Sequence, residues 1–560
     1  MKKLTGYPSI DNIHNGDYSF FSRNPIIPNM SIYNTINLIS NFYRKEEAID
    51  CLDLRVNYDE MIKDAITLSK TLKELGVKKG DIVSVAMPNF YQGVIVYLAC
   101  NRIGAITTFI NSMSSIEEVL GYLNEFESSL FINFDKDKEY NKKIKDGSKV
   151  RNIITLHSNE ISTKNYSSIE TGANGYNDDL SFSDIGSIAK YYKKPIYTLY
   201  GGKEDSLILF TSGSTGNPKS VVLTNENLLA SGIYMKNTGK IKAKVGERCL
   251  VCVPFSYPYG FATSTIMSLI CGRVAVLAPT LSKDNIRYYL SKNPNYVFGS
   301  PALLELIKRN VKDSDDLSSI HTFVSGGDFL SPMQNVDGVE FFRKHGANTV
   351  ICNGSGNAET VGTNTMAVGS LNRPETVGRV LVGTKAIIVD PDTLEELKYG
   401  EEGMLCIAGK HIYKGYYKNE EATRNVFTDD GWLKTGDLGT IDVNKRIYIR
   451  GRSKTMILSS NGQNIYPEEI EAKLNNLPFV LESLVVEREG KLVGLVYPDY
   501  DTVDSTGIRH EDLPAIMEQN RKDLNKLLAP YEAVTSIILY PTEFEKTPKR
   551  SIKRYLYENY

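Results

Sequence analysis

The sequence predicts an α/β protein whose large N-terminal part contains parallel sheets. Between residues 58 and 134, helical apolar spacing alternates with short apolar runs of strand length, and further apolar runs that end in turns follow beyond residue 207. This alternation is typical of a parallel sheet covered by helices. The chain has 560 residues and is 41% hydrophobic, which allows a large core divided among several subdomains.

The spacing of apolar residues places the elements in order. It predicts helices at 31–43, 58–75, 94–104 and 116–125, and strands at 82–87, 130–134 and 153–156. Apart from that last strand, we expect the polar segment 135–204 to run along the surface. Short alternating runs between 378 and 409 predict a small β-barrel-like subdomain. A helix begun by Pro467, strands at 484–489 and 492–497 and a helix at 513–527 predict a compact α+β unit.

Composition excludes several classes of function. The formal net charge of −2 provides no field for nucleic acid or an anionic membrane surface, so an anionic ligand must be bound locally. The seven cysteines are scattered, which predicts structural thiols in a reducing compartment. With no secretory signal and no uninterrupted apolar span, we expect a soluble cytoplasmic enzyme. The six histidines lie in unrelated contexts, which argues against a hydrolytic triad.

The stretch from Leu207 to Thr224 carries the strongest chemical signal. A buried strand runs into a loop of hydroxyls and glycines, and Lys219 follows that loop. The loop residues are Thr211, Ser212, Gly213, Ser214, Thr215 and Gly216. Backbone amides, hydroxyls and one ammonium can wrap an anion, so we predict a phosphate cradle. Its spacing differs from the nucleotide loop that has four residues between its glycines. The alternative is a solvated turn.

Two other strand ends and one aromatic loop are candidates for ligand contacts. A strand at 322–325 leads into Gly326, Gly327 and Asp328. A strand at 349–352 leads into Asn353, Gly354, Ser355, Gly356, Asn357, Ala358 and Glu359. The carboxyl ends of strands in open α/β sheets face the ligand crevice. The aromatic loop at 256–261 suits a substrate wall, or alternatively a packed aromatic corner. For Glu359, the alternative is a helix N-terminal charge.

The stretch TSGSTGNPK resembles the signature loop of the adenylate-forming enzymes, which include acyl-CoA synthetases and aryl-CoA ligases. The runs WLKTGD at 432–437 and GRSK at 451–454 are similar to two further blocks of that superfamily. The resemblance implies an N-terminal adenylation domain at 1–452 and a small, mobile C-terminal domain at 453–560, with a hinge near Lys454. It implies that ATP activates a carboxylic acid as an acyl-adenylate, which then forms a thioester with CoA.

The resemblance also implies a role for each motif. Lys219 and Glu359 are catalytic, and Glu359 and Thr215 hold Mg²⁺. ATP and AMP contact the cradle, the glycine-rich strand ends, Asp437 and Arg452. The acyl pocket residues are Tyr257, Tyr259, Gly260, Phe261 and Ala358. The residues of the CoA tunnel are Ser460, Gly462 and Gln463.

The chain departs from the superfamily at one catalytic position. The C-terminal lysine that provides a cation for adenylation falls on Ser551. Lys549 and Lys553 lie two residues away, which is about 7 Å along an extended chain and comparable to the reach of a lysine side chain. We expect one of them to act instead, and Lys549 is preferred.

Tyr257, Ser355 and Ala358 also differ from the common residues, which are histidine, tyrosine and threonine. Three hypotheses follow: an acid–CoA ligase, a ligase that loads a carrier protein, and a binding protein that kept the pocket but lost the chemistry. We expect a fatty or an aryl acid. Amino acids are disfavoured because amino-acid-adenylating relatives place aspartate after the loop phenylalanine, whereas Ser256 follows Phe255 here.

Overall fold

Helices and strands alternate along most of the chain. The structure, a computed structural model, describes residues 4–11, 25–164, 166, 179–211, 218–238, 244–367, 373–459, 463–546 and 552–557. The strands before residue 300 are β1 Glu47–Cys51, β2 Leu54–Asn57, β3 Ile82–Ala86, β4 Ile106–Phe109, β5 Leu130–Phe134, β6 Asn152–Leu156, β7 Asp179–Ser181, β8 Asp205–Phe210, β9 Ser220–Thr224, β10 Arg248–Val251, β11 Val274–Leu277 and β12 Tyr296–Gly299. The later strands are β13 Thr322–Ser325, β14 Val350–Asn353, β15 Thr365–Met366, β16 Arg379–Val380, β17 Lys385–Val389, β18 Gly403–Ala408, β19 Gly415–Tyr416, β20 Leu433–Ile441, β21 Ile447–Arg452, β22 Ile457–Leu458, β23 Asn464–Ile465, β24 Val480–Arg488, β25 Lys491–Pro498 and β26 Val534–Leu539.

The helices lie between these strands and cover the sheets. They are α1 Ile32–Ile39, α2 Tyr58–Glu74, α3 Tyr91–Ile103, α4 Ile116–Glu125, α5 Lys138–Gly147, α6 Ile185–Ala189, α7 Asn225–Thr238, α8 Met267–Ile270, α9 Ile286–Leu290, α10 Pro301–Asn310, α11 Pro332–Lys344, α12 Glu420–Asn425, α13 Pro467–Leu474, α14 Tyr500–Thr506 and α15 Leu513–Lys526. A π-helix, Tyr259–Ile266, runs directly into α8. None of the described helices combines the length and apolar character needed to cross a bilayer.

One large sheet has eight strands in the order β19-β9-β8-β4-β3-β5-β6-β7. The run from β8 to β7 is parallel, whereas β9 is antiparallel to β8 and β19 is antiparallel to β9. Both faces of β8 are buried: Leu207 and Leu209 join the core beneath α2 and α3, while Ile208 joins the core beneath α4 and α5. Because both faces of β8 are buried, residues 207–210 of its sequence are all apolar.

The second large sheet has seven strands in the order β14-β13-β12-β10-β11-β1-β2. Its strands are parallel except for the β1–β2 hairpin. Because β12, β13 and β14 point the same way, the residues that follow them lie together at one edge of the sheet. The predicted α/β fold class is therefore confirmed.

Most predicted elements are present, but the segment after β5 differs from its prediction. The helix at 116–125 and the strand at 130–134 match α4 and β5. The segment 135–204 does not simply follow the surface, since it contains helix α5, strand β7 and helix α6. Helix α5 buries only Asn141 and Ile144, so its apolar stripe is too short to produce a clear helical pattern.

The C-terminal third contains two smaller sheets. The predicted β-barrel-like subdomain is a four-stranded antiparallel sheet in the order β17-β18-β20-β21. The last unit has a three-stranded sheet, β24-β25-β26, whose core includes residues of α13 and α15. This smaller α+β unit follows the large N-terminal part, as predicted. The boundary at residues 452 and 453 stays a prediction.

Candidate active site

Lys219 lies at the loop end of the β8–β9 hairpin, directly before β9. The backbone N–H of Thr211 donates to the carbonyl of Lys219 at 2.9 Å, and the N–H of Lys219 donates to Thr211 Oγ1 at 2.9 Å. The predicted flanking strands are therefore present on both sides. The cradle residues between them, Ser212, Gly213, Ser214, Thr215 and Gly216, lie outside the described residues.

Tyr416 connects Lys219 with Glu359. The ammonium of Lys219 lies 4.7 Å from the centroid of the Tyr416 ring, and the Tyr416 hydroxyl donates to Glu359 Oε1 at 2.6 Å. The backbone N–H of Tyr413 also donates to the carbonyl of Glu359, at 2.8 Å. Burial, assisted by the charge of Glu359, raises the pKa of Tyr416, so the phenol stays a hydrogen-bond donor.

The position of Tyr416 follows from strand pairing. Strand β19 pairs with β9, with Gly415 opposite Val222 and Tyr416 opposite Val221. This pairing sets the tyrosine beside the hairpin that carries Lys219. The sequence analysis did not select Tyr416, because nothing local distinguishes it from the neighbouring tyrosines.

The buried Asp437 forms an ion pair with the half-exposed Arg452 next to Glu359. They are directly opposite each other in the β20–β21 pair, and Arg452 Nε lies 3.2 Å from Asp437 Oδ1. Burial raises the pKa of Asp437, Arg452 opposes that shift, and the charges of Glu359 and Glu468 add to it. The predicted aspartate, arginine and glutamate therefore share one electrostatic environment.

The side chain of Asn357 links the glutamate loop to the strand that carries Asp437. Its amide donates to the carbonyl of Thr435 at 3.4 Å, and its oxygen accepts from Thr360 Oγ1 at 3.0 Å. The hydroxyl of Thr435 in turn accepts from the N–H of Asp437 at 3.1 Å. Asn357 thus fixes the spacing of the two acidic residues, a role that its position in the sequence did not reveal.

The predicted glycine-rich strand ends meet at one edge of the second sheet. Gly326 and Gly354 follow adjacent strands, and the N–H of Gly354 donates to the carbonyl of Ser325 at 3.1 Å. A Cβ on Gly354 would approach the carbonyl oxygen of Thr365 to 2.9 Å, and Gly327 has φ +86°. These positions disfavour side chains, which leaves a backbone surface that a flat ring can approach. Asp328 lies exposed next to them.

The remaining residues of the two glycine-rich segments lie around this edge. Asn353 is buried, and its amide donates to the carbonyl of Thr376 at 3.3 Å. The N–H of Ser355 donates to Thr365 Oγ1 at 2.9 Å. At Gly356, an added Cβ would lie 2.3 Å from the carbonyl oxygen of Gly362. The loop before Glu359 is therefore fixed by backbone contacts.

The aromatic loop is partly a wall of the site and partly core. Tyr259 begins the π-helix, and its hydroxyl donates to the carbonyl of Val324 at 2.8 Å. The ring of Tyr259 lies next to Gly326. At Gly260, a Cβ would lie 2.3 Å from the carbonyl oxygen of Val253, so glycine is required. Phe261 is fully buried, with its ring centroid 4.5 Å from that of Phe109. The packed-corner alternative therefore describes Phe261 well.

Two further acyl-pocket candidates are nearly buried. Tyr257 is 6% exposed and Ala358 is 7% exposed. Ala358 immediately precedes Glu359, and Tyr257 precedes the π-helix, so both lie on segments that converge at the site. A small side chain at Ala358 leaves room that a threonine would reduce.

The comparison with protein families agrees with this geometry. The sequence model of the AMP-binding enzymes matches residues 40–417. The chain belongs to the AMP-binding enzyme family. The matched range includes the cradle, the strand-end glycines, Glu359 and Tyr416.

Individual relatives of this AMP-binding enzyme align over nearly the whole chain. The peroxisomal OPC-8:0-CoA ligase 1 of Arabidopsis thaliana is 26% identical in an alignment 560 positions long, which covers 96% of this chain and 96% of the ligase. The long-chain-fatty-acid–CoA ligase of Bacillus subtilis (strain 168) is 27% identical in an alignment 545 positions long, which covers 94% of each chain.

Solved structures share the fold of this AMP-binding enzyme. The anthranilate CoA ligase AuaEII in complex with anthranoyl-AMP has a TM-score of 0.82 at 20% identity, with 95% of this chain and 98% of that chain covered. ATP-bound MatB from Rhodopseudomonas palustris has a TM-score of 0.76 at 21% identity, with 94% and 99% covered.

The C-terminal unit of this AMP-binding enzyme approaches the same region. Lys454 is exposed in a turn in which the N–H of Thr455 donates to the carbonyl of Arg452 at 3.1 Å. Gln463 is exposed, and its N–H donates to Ser459 Oγ at 2.9 Å. The other predicted tunnel residues, Ser460 and Gly462, lie outside the described residues, as do Lys549 and Ser551.

The described C-terminal cations are held by carboxylates. Lys553 Nζ lies 3.2 Å from Glu545 Oε2. Arg554 Nη2 lies 2.7 Å from both carboxylate oxygens of Glu471. Arg554 also interacts electrostatically with Glu468 and Asp328, and so does Arg452. Arg554, which the sequence analysis did not select, therefore connects the C-terminal tail to the charged wall of the site.

The side chain of Glu359 offers a carboxylate oxygen to a divalent cation. Within the described ranges, no cluster of three or more His, Cys, Asp or Glu residues could hold a metal ion by itself. Mg²⁺ commonly uses one or two protein carboxylates and completes its shell with waters and substrate phosphates. A partly buried glutamate with one oxygen held by Tyr416 fits that mode of binding.

Proposed function

We propose that the chain is an ATP-dependent acid–CoA ligase. A carboxylic acid and ATP give an acyl-adenylate and pyrophosphate, and the CoA thiol then displaces AMP to give a thioester. The observation that carries this proposal is the contact chain from Lys219 through Tyr416 to Glu359, next to the Asp437–Arg452 ion pair. Membership of the AMP-binding family and two CoA ligases among the relatives support the same chemistry.

In the first half-reaction, the protein aligns the reactants and offsets charge. The acid is already ionised near neutral pH and attacks the α-phosphorus without a general base. We assign the β- and γ-phosphates to the cradle and Lys219, and the ribose hydroxyls to Asp437, with Arg452 supporting ribose and phosphate. The adenine lies against Gly326 and Gly327. Fixed donors around the phosphates lower the barrier because they are already oriented.

We assign the metal position to Glu359, with Thr215 as a second ligand. A bound Mg²⁺ supplies positive charge that stabilises the departing pyrophosphate. The role of Tyr416 is to hold one oxygen of Glu359, so that the carboxylate keeps a fixed orientation towards the phosphates.

In the second half-reaction, a thiol replaces AMP. We propose that residues 453–560 form a domain that moves about Lys454 and brings the tunnel residues Ser460, Gly462 and Gln463 to the adenylate. The exposed turn at Lys454 supports a hinge at that point. CoA is the proposed acceptor, and a carrier-protein thiol is the alternative.

The proposed substrate is a fatty or an aryl acid. We assign the acyl group to Tyr257, Tyr259 and Ala358, of which Tyr257 and Ala358 are nearly buried. The name of the long-chain-fatty-acid–CoA ligase of Bacillus subtilis supports the fatty alternative. We also propose a cytoplasmic location, which the seven free cysteines support, since six of them are buried.

A second candidate function is a binding protein that has lost the chemistry. It is favoured by Ser551 at the position of the superfamily lysine and by the pairing of Lys553 with Glu545. Acid-dependent exchange of pyrophosphate into ATP above background would exclude this candidate.

The test is a panel of fatty and aryl acids with ATP and Mg²⁺. We expect acid-dependent pyrophosphate exchange, and formation of AMP and acyl-CoA when CoA is added. A phosphopantetheinylated carrier protein in place of CoA identifies the acceptor. Absence of exchange with every acid, despite ATP binding, would support the second candidate instead.

We predict that Tyr416→Phe lowers the exchange rate about tenfold, since a hydrogen bond to a charged group is lost while the ring beneath Lys219 is kept. The Mg²⁺ concentration that gives half the maximal rate should rise in parallel. Tyr417→Phe is the matched control, because the ring of Tyr417 faces Phe126, with centroids 5.3 Å apart. Equal Mg²⁺ dependence of both variants would contradict the role of Tyr416.

A further inference from the structure

The segment 190–200, with the sequence KYYKKPIYTLY, exposes both apolar and basic side chains. It follows α6 and leads to β8. Tyr191 is 61% exposed, Tyr197 is 80% exposed and Leu199 is 94% exposed. Lys193 and Lys194 are exposed beside them. Scattered single apolar residues are normal on a surface, but three within one short basic segment are not.

Two adjoining clefts lie along this segment, with volumes of about 360 and 630 Å³. They share Tyr192, Lys194, Pro195 and Ile196. The cations that line them are Lys70, Lys73, Arg102, Lys190, Lys193 and Lys194. No aspartate or glutamate is among the described residues that line either cleft. The local charge is therefore strongly positive, although the whole chain has a formal net charge of −2.

Three lysines of this surface, Lys70, Lys193 and Lys194, are available to an external anion. Elsewhere, many surface lysines pair with carboxylates; Lys79, for example, lies 2.8 Å from Glu204. Within the described part of the chain, no carboxylate lies within ion-pair distance of Lys70, Lys193 or Lys194. Their charges are not offset by a neighbour of opposite sign.

The apolar part of the surface continues onto α1. The side-chain amide of Asn34 donates to the carbonyl of Thr198, which fixes the segment against that helix. Leu38 follows Asn34 by one helical turn on the same face and is 53% exposed. Phe42 ends the 3-10 turn that follows α1 and is 91% exposed. Apolar side chains thus extend from Leu199 towards Phe42.

This surface lies away from the candidate active site. Lys70 and Lys73 are near the C-terminal end of α2, and Arg102 is near that of α3. In a parallel α/β sheet, the C-terminal ends of the helices lie at the amino ends of the strands. The cradle and Lys219 follow the carboxyl end of β8, at the opposite edge. A partner bound here would leave the active site open.

We propose that this surface docks the protein on a bilayer that carries anionic headgroups. Lys70, Lys193 and Lys194 complement the negative surface potential, while tyrosines and aliphatic side chains enter the boundary between headgroups and acyl chains. A nucleic acid would use the lysines but would leave Leu199, Leu38 and Phe42 in water. The combination of charge and exposed aliphatic residues therefore favours the bilayer.

The test is co-sedimentation of the full chain with vesicles of phosphatidylcholine alone or mixed with phosphatidylglycerol. We expect binding to the mixed vesicles, and weaker binding as the salt concentration rises. The double variant Lys193→Glu/Lys194→Glu should bind at least about tenfold more weakly, because each basic residue near the surface contributes to attachment. Tyr197→Ser/Leu199→Ser should reduce binding at low salt and also at high salt.

The matched control is Lys138→Glu/Lys142→Glu, which reverses two exposed charges on α5. Helix α5 packs on the other face of the same sheet, in the core that contains Ile144 and Ile153. This control should bind the vesicles as the wild type does. Circular dichroism and ATP binding of each variant establish that it is folded.

Three outcomes would overturn the proposal. The first is equal binding to neutral and anionic vesicles, or none to either. The second is that Lys193→Glu/Lys194→Glu binds the anionic vesicles as the wild type does. The third is tight binding of a single-stranded RNA that depends on Lys193 and Lys194, without vesicle binding. None of these outcomes bears on the ligase proposal, which pyrophosphate exchange tests separately.

Discussion

Replacing Glu359 by glutamine is expected to lower the rate of acid-dependent pyrophosphate exchange about 10²- to 10³-fold, the loss typical when one preorganised stabilising group is removed. The substitution removes the charge that we assign to the metal. Glutamine can still accept the hydrogen bond from Tyr416, which lies 2.6 Å from Glu359 Oε1 in the native protein. The variant should therefore fold and keep the contact between Tyr416 and Lys219.

If Glu359 binds the metal, Glu359→Gln should also change the Mg²⁺ dependence of the rate. Mg²⁺ is a hard cation, and a neutral amide oxygen is a weaker ligand for it than a carboxylate. The Mg²⁺ concentration for half the maximal rate should thus rise at least about tenfold. If Glu359 acted only as a helix N-terminal charge, thermal stability would fall and the Mg²⁺ dependence would not change.

The control for Glu359→Gln is Glu226→Gln. Glu226 is also a partly exposed glutamate, and it pairs at the surface with Lys410 at 2.9 Å. This control should retain activity within about threefold, as expected for a surface ion pair. A rate within threefold of the wild type for Glu359→Gln itself, at limiting Mg²⁺, would remove Glu359 from the proposed mechanism.

Glu359→Gln also changes the electrostatics of Asp437. The charge of Glu359 adds to the burial that raises the pKa of Asp437. Its removal should lower the pKa of Asp437 and keep that carboxylate ionised to lower pH. The activity that remains in the variant should therefore extend further to the acid side than that of the wild type.

The sequence predicted those parts of the site that depend on local pattern. The two strands that flank the cradle are continuous apolar runs because both of their faces are buried. Glycines after β13 and β14 could be recognised because strand ends in a parallel sheet meet at one edge. Asp437 and Arg452 were selected because the blocks that contain them resemble those of the superfamily, but their pairing, which is the register of an antiparallel strand pair, was not predicted.

The parts that were missed depend on contacts between distant segments. Tyr416 reaches Glu359 only because β19 adds to the edge of the first sheet. Asn357 could be read as an ordinary turn residue until Thr435 was placed beside it. Arg554 has its role because the C-terminal tail returns to α13, where Glu471 holds its guanidinium. No local periodicity reports such contacts.

Sequence spacing alone also did not decide which C-terminal lysine provides the cation for adenylation. The structure favours one of them, and its substitution is the second change with a large expected effect. Sequence spacing made Lys549 and Lys553 equally close to Ser551. In the structure, Lys546 pairs with Ile552, and Lys553 follows that pair with its ammonium 3.2 Å from Glu545. Lys549 lies midway in sequence between Lys546 and Ile552. We therefore assign the adenylation cation to Lys549.

Lys549→Ala is expected to lower acid-dependent pyrophosphate exchange about 10²- to 10³-fold, because one cation at the phosphates is lost. Lys553→Ala is the matched control, and it should stay within about threefold because its ammonium is already paired at the surface. The thioester half-reaction, measured from a supplied acyl-adenylate and CoA, should change little in either variant. The expected effect is therefore confined to adenylation.

A lysine introduced at position 551 tests the assignment of the cation to Lys549 by restoring the lost activity. Adding Ser551→Lys to Lys549→Ala should recover at least about tenfold of the lost rate, since position 551 is where the superfamily carries this lysine and one cation at the phosphates would be restored. Loss of exchange in Lys553→Ala with none in Lys549→Ala would transfer the role to Lys553. Exchange at background in the wild type that appears only with Ser551→Lys would mean that the native chain binds its ligands without activating the acid.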